Sequence, residues 1–195
     1  MTRPVAVAIT GGIGSGKSEA LRAFARHGAA VVSSDEIVHH LLRRDEVRRQ
    51  VVERMGNGVL GPDGEIDRGA LATTVFNDRK ALAWLEELLH PLVSAEYLEW
   101  REDLAGLETP PRVCVTEVPL LYEVGGDARF DKVVVITAPT KLRRARSQIA
   151  IDERDTRFIP DAEKVKRADY AYKNLGSLDE LDEFVASVMR DLQDA

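Results

Sequence analysis

Short apolar runs recur at residues 5–9, 29–33, 113–117, 132–137 and 171–173. Each is the length of a strand, and the run Lys132-Val-Val-Val-Ile-Thr137 is apolar almost throughout. A nearly continuous apolar strand is buried on both faces, as in a parallel sheet. Between these runs the apolar positions take a helical spacing. Leu21, Phe24 and Ala25 share a face over residues 19–27. Residues 35–55 predict a second helix with Arg43, Arg44, Arg48 and Arg49 on its outer side. Leu82, Leu85, Leu88 and Leu89 mark another over 79–89, which Pro91 is expected to break or kink before a further helix reaches Leu104. A last helix carries Leu178, Leu181, Phe184, Val185 and Val188, with Ser177 as N-cap and Glu180 placed for a capping box. Strands alternating with helices predict an α/β protein: a parallel sheet with helices on both faces, in three layers.

Such sheets bind ligands beyond the carboxyl ends of their strands. Directly after the first strand comes Gly11-Gly12-Ile13-Gly14-Ser15-Gly16-Lys17-Ser18, the full G-x-x-x-x-G-K-S pattern of a phosphate-binding loop, in the strand–loop–helix setting that pattern requires. Glycines at 11, 12, 14 and 16 allow positive φ and close approach. Successive backbone N–H groups then form an anion-binding concavity at a helix N-terminus. Lys17 would reach the β- and γ-phosphates, and the Ser18 hydroxyl would ligate Mg²⁺. A dinucleotide loop is disfavoured, because read from Gly12 its third glycine would fall at Lys17. The reading is therefore a P-loop NTPase fold using ATP or GTP with Mg²⁺.

The other strand ends carry further chemistry. Asp35 follows the second strand, where a carboxylate could orient a hydroxyl attacking the γ-phosphate; capping the next helix is the equal alternative. His39 lies one helical turn beyond it. Glu117 ends the third strand and is a candidate to hold Mg²⁺ through water, or a simple rim carboxylate. Residues 140–168 are polar and rich in arginine. They suit either a lid delivering arginine to the phosphoryl group or a solvated helix pair laced with ion pairs.

Composition narrows the class. The 195 residues predict one domain, with 44% hydrophobic residues sufficient for a core. A net charge of −6 argues against a general nucleic-acid binder. Cys114 stands alone in a strand-like run, which predicts a buried inert thiol, compatible with a reducing cytoplasm. The first strand begins almost at once, leaving no room for a signal peptide, and no apolar run approaches the roughly twenty residues of a membrane span.

Several ordered blocks together resemble the dephospho-coenzyme A kinase family over nearly the whole chain. They are Thr10-Gly-Gly-Ile-Gly-Ser-Gly-Lys-Ser18, Val31-Val-Ser-Ser-Asp35-x-Ile37, Arg68-x-x-Leu71 with Val75-Phe76, Leu88-Leu-His90-Pro91, Val118-Pro-Leu-Leu-Tyr-Glu123, Ala168-Asp169 and Asn174-x-Gly176-Ser177. The resemblance implies that ATP phosphorylates the ribose 3′-hydroxyl of dephospho-coenzyme A, the final step of coenzyme A biosynthesis. It implies a core over about 1–58, 108–138 and 169–195, a substrate-binding insertion over about 59–107 and a lid over about 139–168. Asp35 becomes the base. Gly12, Ile13, Gly14, Ser15, Gly16, Lys17, Ser18 and Glu19 would hold ATP, with Asn174 and Gly176 near its adenine. His39, Arg68, His90, Pro119 and Leu120 would serve the acceptor. Arg143, Arg146, Arg154 and Arg157 are candidates for the lid arginine, with Arg143 and Arg157 put forward as catalytic. Where the family carries an acid two residues before its aspartate, this chain has Ser33. Other readings are a kinase for a smaller nucleoside or metabolite, a GTP-dependent switch and a non-catalytic binder. The switch would need a base-reading Asn-Lys-x-Asp, which residues 174–177 are not. Intact Lys17, Ser18 and Asp35 argue against the non-catalytic binder.

Overall fold

The computed structural model describes residues 3–146 and 159–194. They fall into two compact units: residues 3–34 with the chain from Arg101 onward, and Asp35–Trp100.

The first unit is built on a five-stranded sheet of β1 (Val5–Thr10), β2 (Ala30–Ser33), β3 (Val113–Glu117), β4 (Lys132–Thr137) and β5 (Tyr170–Lys173), in the order β2-β3-β1-β4-β5, with every pair parallel. Burial follows position. The central β1, β3 and β4 are buried along almost their whole length, which is why they read as unbroken apolar runs. The edge strands β2 and β5 keep partly exposed positions and carry the weaker pattern.

The pleat sorts side chains into two layers. Val7, Ile9, Val134 and Ile136 pack with Ala20, Ala23 and Phe24 of α1 (Lys17–Arg26) on one face. The same cluster takes in Leu181, Val185, Val188 and Met189 of the terminal helix, Leu178–Asp194. Ala8, Val133 and Val135 point the other way, toward Leu121, Tyr122, Ile159 and Ala168. Sheet pairing ends at the carboxyl side with Ser33 and Ile9 both in register with Glu117. The phosphate loop, Glu117 and the loop after β5 therefore all begin at that edge of the sheet.

The second unit is helical: α2 (Ser34–Leu42, whose first residue belongs to the first unit), α3 (Asp45–Met55), α4 (Arg68–Asn77) and α5 (Arg79–Gly106), of which residues 101–106 belong to the first unit. The expected single helix over 35–55 is two, parted at Arg43-Arg44, where Arg44 is extended. Of the break or kink expected at Pro91, the break does not occur: α5 runs through it for 28 residues. The proline removes one N–H, whose partner would be the carbonyl of Glu87. Glu87, His90 and Pro91 all lie on the exposed side, so water can take up that carbonyl. Between α3 and α4 the turn Gly61–Gly64 closes a short bridge, Leu60 against Ile66.

In the first unit, α6 (Thr140–Arg146), α7 (Asp161–Arg167) and α8 (Leu178–Asp194) complete the described residues. The Ser177 hydroxyl accepts from the Glu180 backbone N–H at 3.2 Å, which is the expected cap of α8.

Candidate active site

The loop between β1 and α1 is shaped by the shortage of room around it. A Cβ on Gly11 would come within 2.0 Å of the Ile136 carbonyl oxygen, so no side chain fits where β1 hands over to the loop. Gly11, Gly14 and Gly16 have positive φ, whereas Gly12 does not. Gly12 is needed for another reason: a Cβ there would meet the Arg143 guanidinium at 2.7 Å.

Three side chains grip the loop by its carbonyls. Lys17 Nζ donates to Gly12 O at 3.1 Å. Arg143 Nε donates to Ile13 O at 2.9 Å. Asn174 Nδ2 donates to Ser15 O at 2.9 Å. In a planar trans peptide the C=O and N–H point opposite ways. Holding these carbonyls therefore turns the N–H groups of Ile13, Gly14 and Gly16 away from the three donors. Such a run of amides at a helix start is an anion-binding concavity. Lys17, Arg143 and Asn174 are all buried, so the grip is shielded from water.

Around this loop Glu117 is buried, with Oε1 4.0 Å from Lys17 Nζ. Ser18 is exposed in the first turn of α1. The Glu19 carboxylate faces Arg22 and Arg26 along the helix surface. Asn174 Oδ1 accepts from Gly176 N at 3.0 Å and from Arg146 Nη2 at 3.4 Å, which closes the loop after β5 on itself. Pro119 and Leu120 are half-buried in the turn after β3, and the Pro119 carbonyl accepts the Thr10 hydroxyl at 3.3 Å. Arg154 and Arg157 lie outside the described residues.

In the second unit Asp35 is exposed in the first turn of α2, two residues past the end of β2. A cleft of about 570 Å³ opens between α2 and the start of α4, with His39, Arg43, Asp63, Asp67 and Arg68 among its lining. The Asp67 side chain caps α4, accepting from Gly69 N at 2.7 Å and Ala70 N at 3.0 Å, and so sets where Arg68 begins the helix. Arg48 pairs with both Asp45 and Glu65, bracing the turn that forms one wall. His39 and Arg68 thus meet at one cleft, whereas His90 is exposed on α5 and does not line it.

Sequence reasoning missed how the loop is held. Arg143 and Asn174 are 130 and 159 residues from their loop partners, and no local pattern announces such contacts. It also missed a fully buried lysine, Lys164, whose Nζ lies 2.8 Å from Glu123 Oε1. Among the described residues no group of three or more His, Cys, Asp or Glu is arranged to hold a metal, and no helix is long and apolar enough to cross a membrane.

The family model described as dephospho-CoA kinase matches residues 5–180. A dephospho-CoA kinase of Protochlamydia amoebophila is 36% identical, aligned over 96% of each chain. One of Symbiobacterium thermophilum is 40% identical over 89% of this chain and 75% of its own. A crystal structure of a Thermus thermophilus protein superposes with a TM-score of 0.77 at 32% identity, covering 98% of this chain and 99% of that one. With a parallel sheet that delivers a braced phosphate loop from its central strand, and relatives at this level along almost the full length, the chain belongs to the dephospho-CoA kinase family.

Proposed function

We propose that the protein transfers the γ-phosphoryl group of ATP to the ribose 3′-hydroxyl of dephospho-coenzyme A, giving coenzyme A and ADP. The observation that carries the proposal is the loop with Lys17, Arg143 and Asn174 on its carbonyls, in a member of this kinase family.

The amides of Ile13, Gly14 and Gly16 cradle the phosphates, the Ser15 N–H closes the loop on Gly12 O, and Lys17 and Arg143 set their positive charge behind those amides. Phosphoryl transfer passes through a loose transition state, so such fixed charges do most of the work. Asp35 orients the acceptor hydroxyl and takes its proton. His39 and Arg68 hold the acceptor from their cleft, with His90, Pro119 and Leu120 as further contacts. Gly12 and Glu19 complete the phosphate side through the loop and α1, and Asn174 and Gly176, after β5, lie near the adenine.

The donor chemistry fits Mg²⁺: the Ser18 hydroxyl and the Glu117 carboxylate are hard oxygens, and Mg²⁺ keeps several waters beside one or two such ligands. Ser18 and Glu117 would hold the ion, which neutralises phosphate charge when bound.

The test is direct. Purified protein is given MgATP and dephospho-coenzyme A, and formation of ADP and coenzyme A is followed together. Stoichiometric formation of both is expected. ATP turnover with another nucleoside and none with dephospho-coenzyme A would overturn the acceptor assignment.

A further inference from the structure

Helix α7 carries two opposite charges one turn apart, and each has a partner on a different element of the first unit. Lys164 is wholly buried, and its Nζ lies 2.8 Å from Glu123 Oε1. The same oxygen accepts from the Ile159 backbone N–H at 2.8 Å. An ionised lysine taken fully out of water is tolerated only against an anion. The Lys164–Glu123 pair therefore fixes where α7 sits on the turn that follows β3.

Three residues before Lys164, at the first position of α7, is Asp161. Its Oδ2 lies 3.7 Å from Arg143 Nη1. Arg143 uses a second nitrogen, Nε, on the Ile13 carbonyl at 2.9 Å. The Ile13 bond holds one nitrogen of the planar guanidinium, and the Asp161 carboxylate, beyond hydrogen-bond length at 3.7 Å, biases its orientation by charge. Its plane then packs on Gly12, where even a methyl group would collide with it.

We propose that Asp161 is a positioning residue for the phosphate loop: from a helix seated by Lys164 and Glu123, it orients the Arg143 guanidinium so that Ile13 O is held and the Gly14 N–H stays turned into the anion concavity. Asp161 acts through Arg143. This rests on the reading of the loop as the seat of the nucleotide phosphates.

Nucleotide binding by the full chain tests it without any acceptor. A fluorescent ATP analogue with Mg²⁺ is titrated into the parent, Asp161→Asn, Asp161→Glu, Arg143→Ala and the Asp161→Asn/Arg143→Ala double variant. Thermal unfolding first checks that each is folded. Asp161→Asn is expected to weaken binding about two- to fivefold, in the range of a partly exposed ion pair without a hydrogen bond. Asp161→Glu restores it to within about twofold, and Asp161→Asn adds no loss on the Arg143→Ala background, as required of residues acting in series. In turnover, KM for ATP rises by the same factor while KM for the acceptor is unchanged. Unchanged binding in a folded Asp161→Asn protein, or a full loss persisting without Arg143, would overturn the proposal. A parent that binds the analogue but does not phosphorylate dephospho-coenzyme A would overturn the acceptor reading alone, since these affinities remain comparable.

Discussion

The phosphate loop and the cleft proposed for the acceptor present their groups in opposite ways. On the loop, the recognising groups are backbone amides, and the side chains that aim them are buried behind it. In the helical unit, the candidate groups are themselves side chains: Asp35 and Arg68 are exposed and His39 half-buried, placed by a helix start, a cap and a turn. Backbone recognition is rigid and indifferent to most of the ligand, so it suits the triphosphate shared by many kinases. Side-chain recognition on a lightly buried surface is easily altered, so it suits the part of the reaction that differs among them.

The largest expected effect separates the two. Asp35→Asn should lower kcat about 10²- to 10⁴-fold, the range for loss of a general base, while nucleotide affinity measured by titration stays at the parent value. A parallel loss of nucleotide affinity would break the division of labour. Next, Gly11→Ala should destabilise the fold by about 3 kcal/mol or more in urea unfolding, because its methyl group has no space beside Ile136 O. Gly58→Ala in the helical unit, with nothing within 4 Å, should stay within about 1 kcal/mol of the parent.

The sheet interior predicts a chemical contrast of similar size. Burial pushes the Cys114 thiol up to about 11 from its ordinary 9.0. A raised thiol pKa leaves less thiolate at any pH below it. At pH 8, with the thiol also buried, maleimide labelling of native protein should be at least about a hundredfold slower than of urea-unfolded protein. Equal rates would show that the sheet opens readily at β3. The smallest effect falls on the cleft wall: Asp67→Ala should cost about 1 kcal/mol through loss of the α4 cap, read by urea unfolding. Because Arg68 starts that helix, KM for the acceptor should rise while KM for ATP does not.

Legibility in the sequence follows the same division. The five strands and the phosphate loop were readable because each is encoded in consecutive residues. Val113–Glu117 and Lys132–Thr137 emerged at the expected bounds, and so did the cap at Ser177. The break at Pro91 was the wrong half of the expectation because a proline's effect depends on whether its helix face is wet, which a local pattern does not reveal. The split at Arg43-Arg44 left no glycine or proline to mark it. The grip of Arg143 and Asn174 on the loop, and the burial of Lys164, are products of tertiary packing between distant segments. Their neighbours in sequence are ordinary polar helix and turn residues. In a polar stretch such as 140–168, an arginine that is buried looks the same as one that is solvated until its partner is known.

The order of the sheet also bears on how the chain comes to be folded. The central strand is the first one made, yet Val5 pairs with Val113 and Val7 with Lys132. Among the described residues β2, the next strand synthesised, pairs only with β3. During synthesis the first two strands therefore wait, unpaired and apolar, for more than half of the chain to emerge. Closing so large a loop before any sheet hydrogen bond can form makes folding slow relative to local structure. The helices of residues 35–100 depend on nearer contacts and can form in that interval. The segment that binds phosphate is therefore competent only once the last strands have been added.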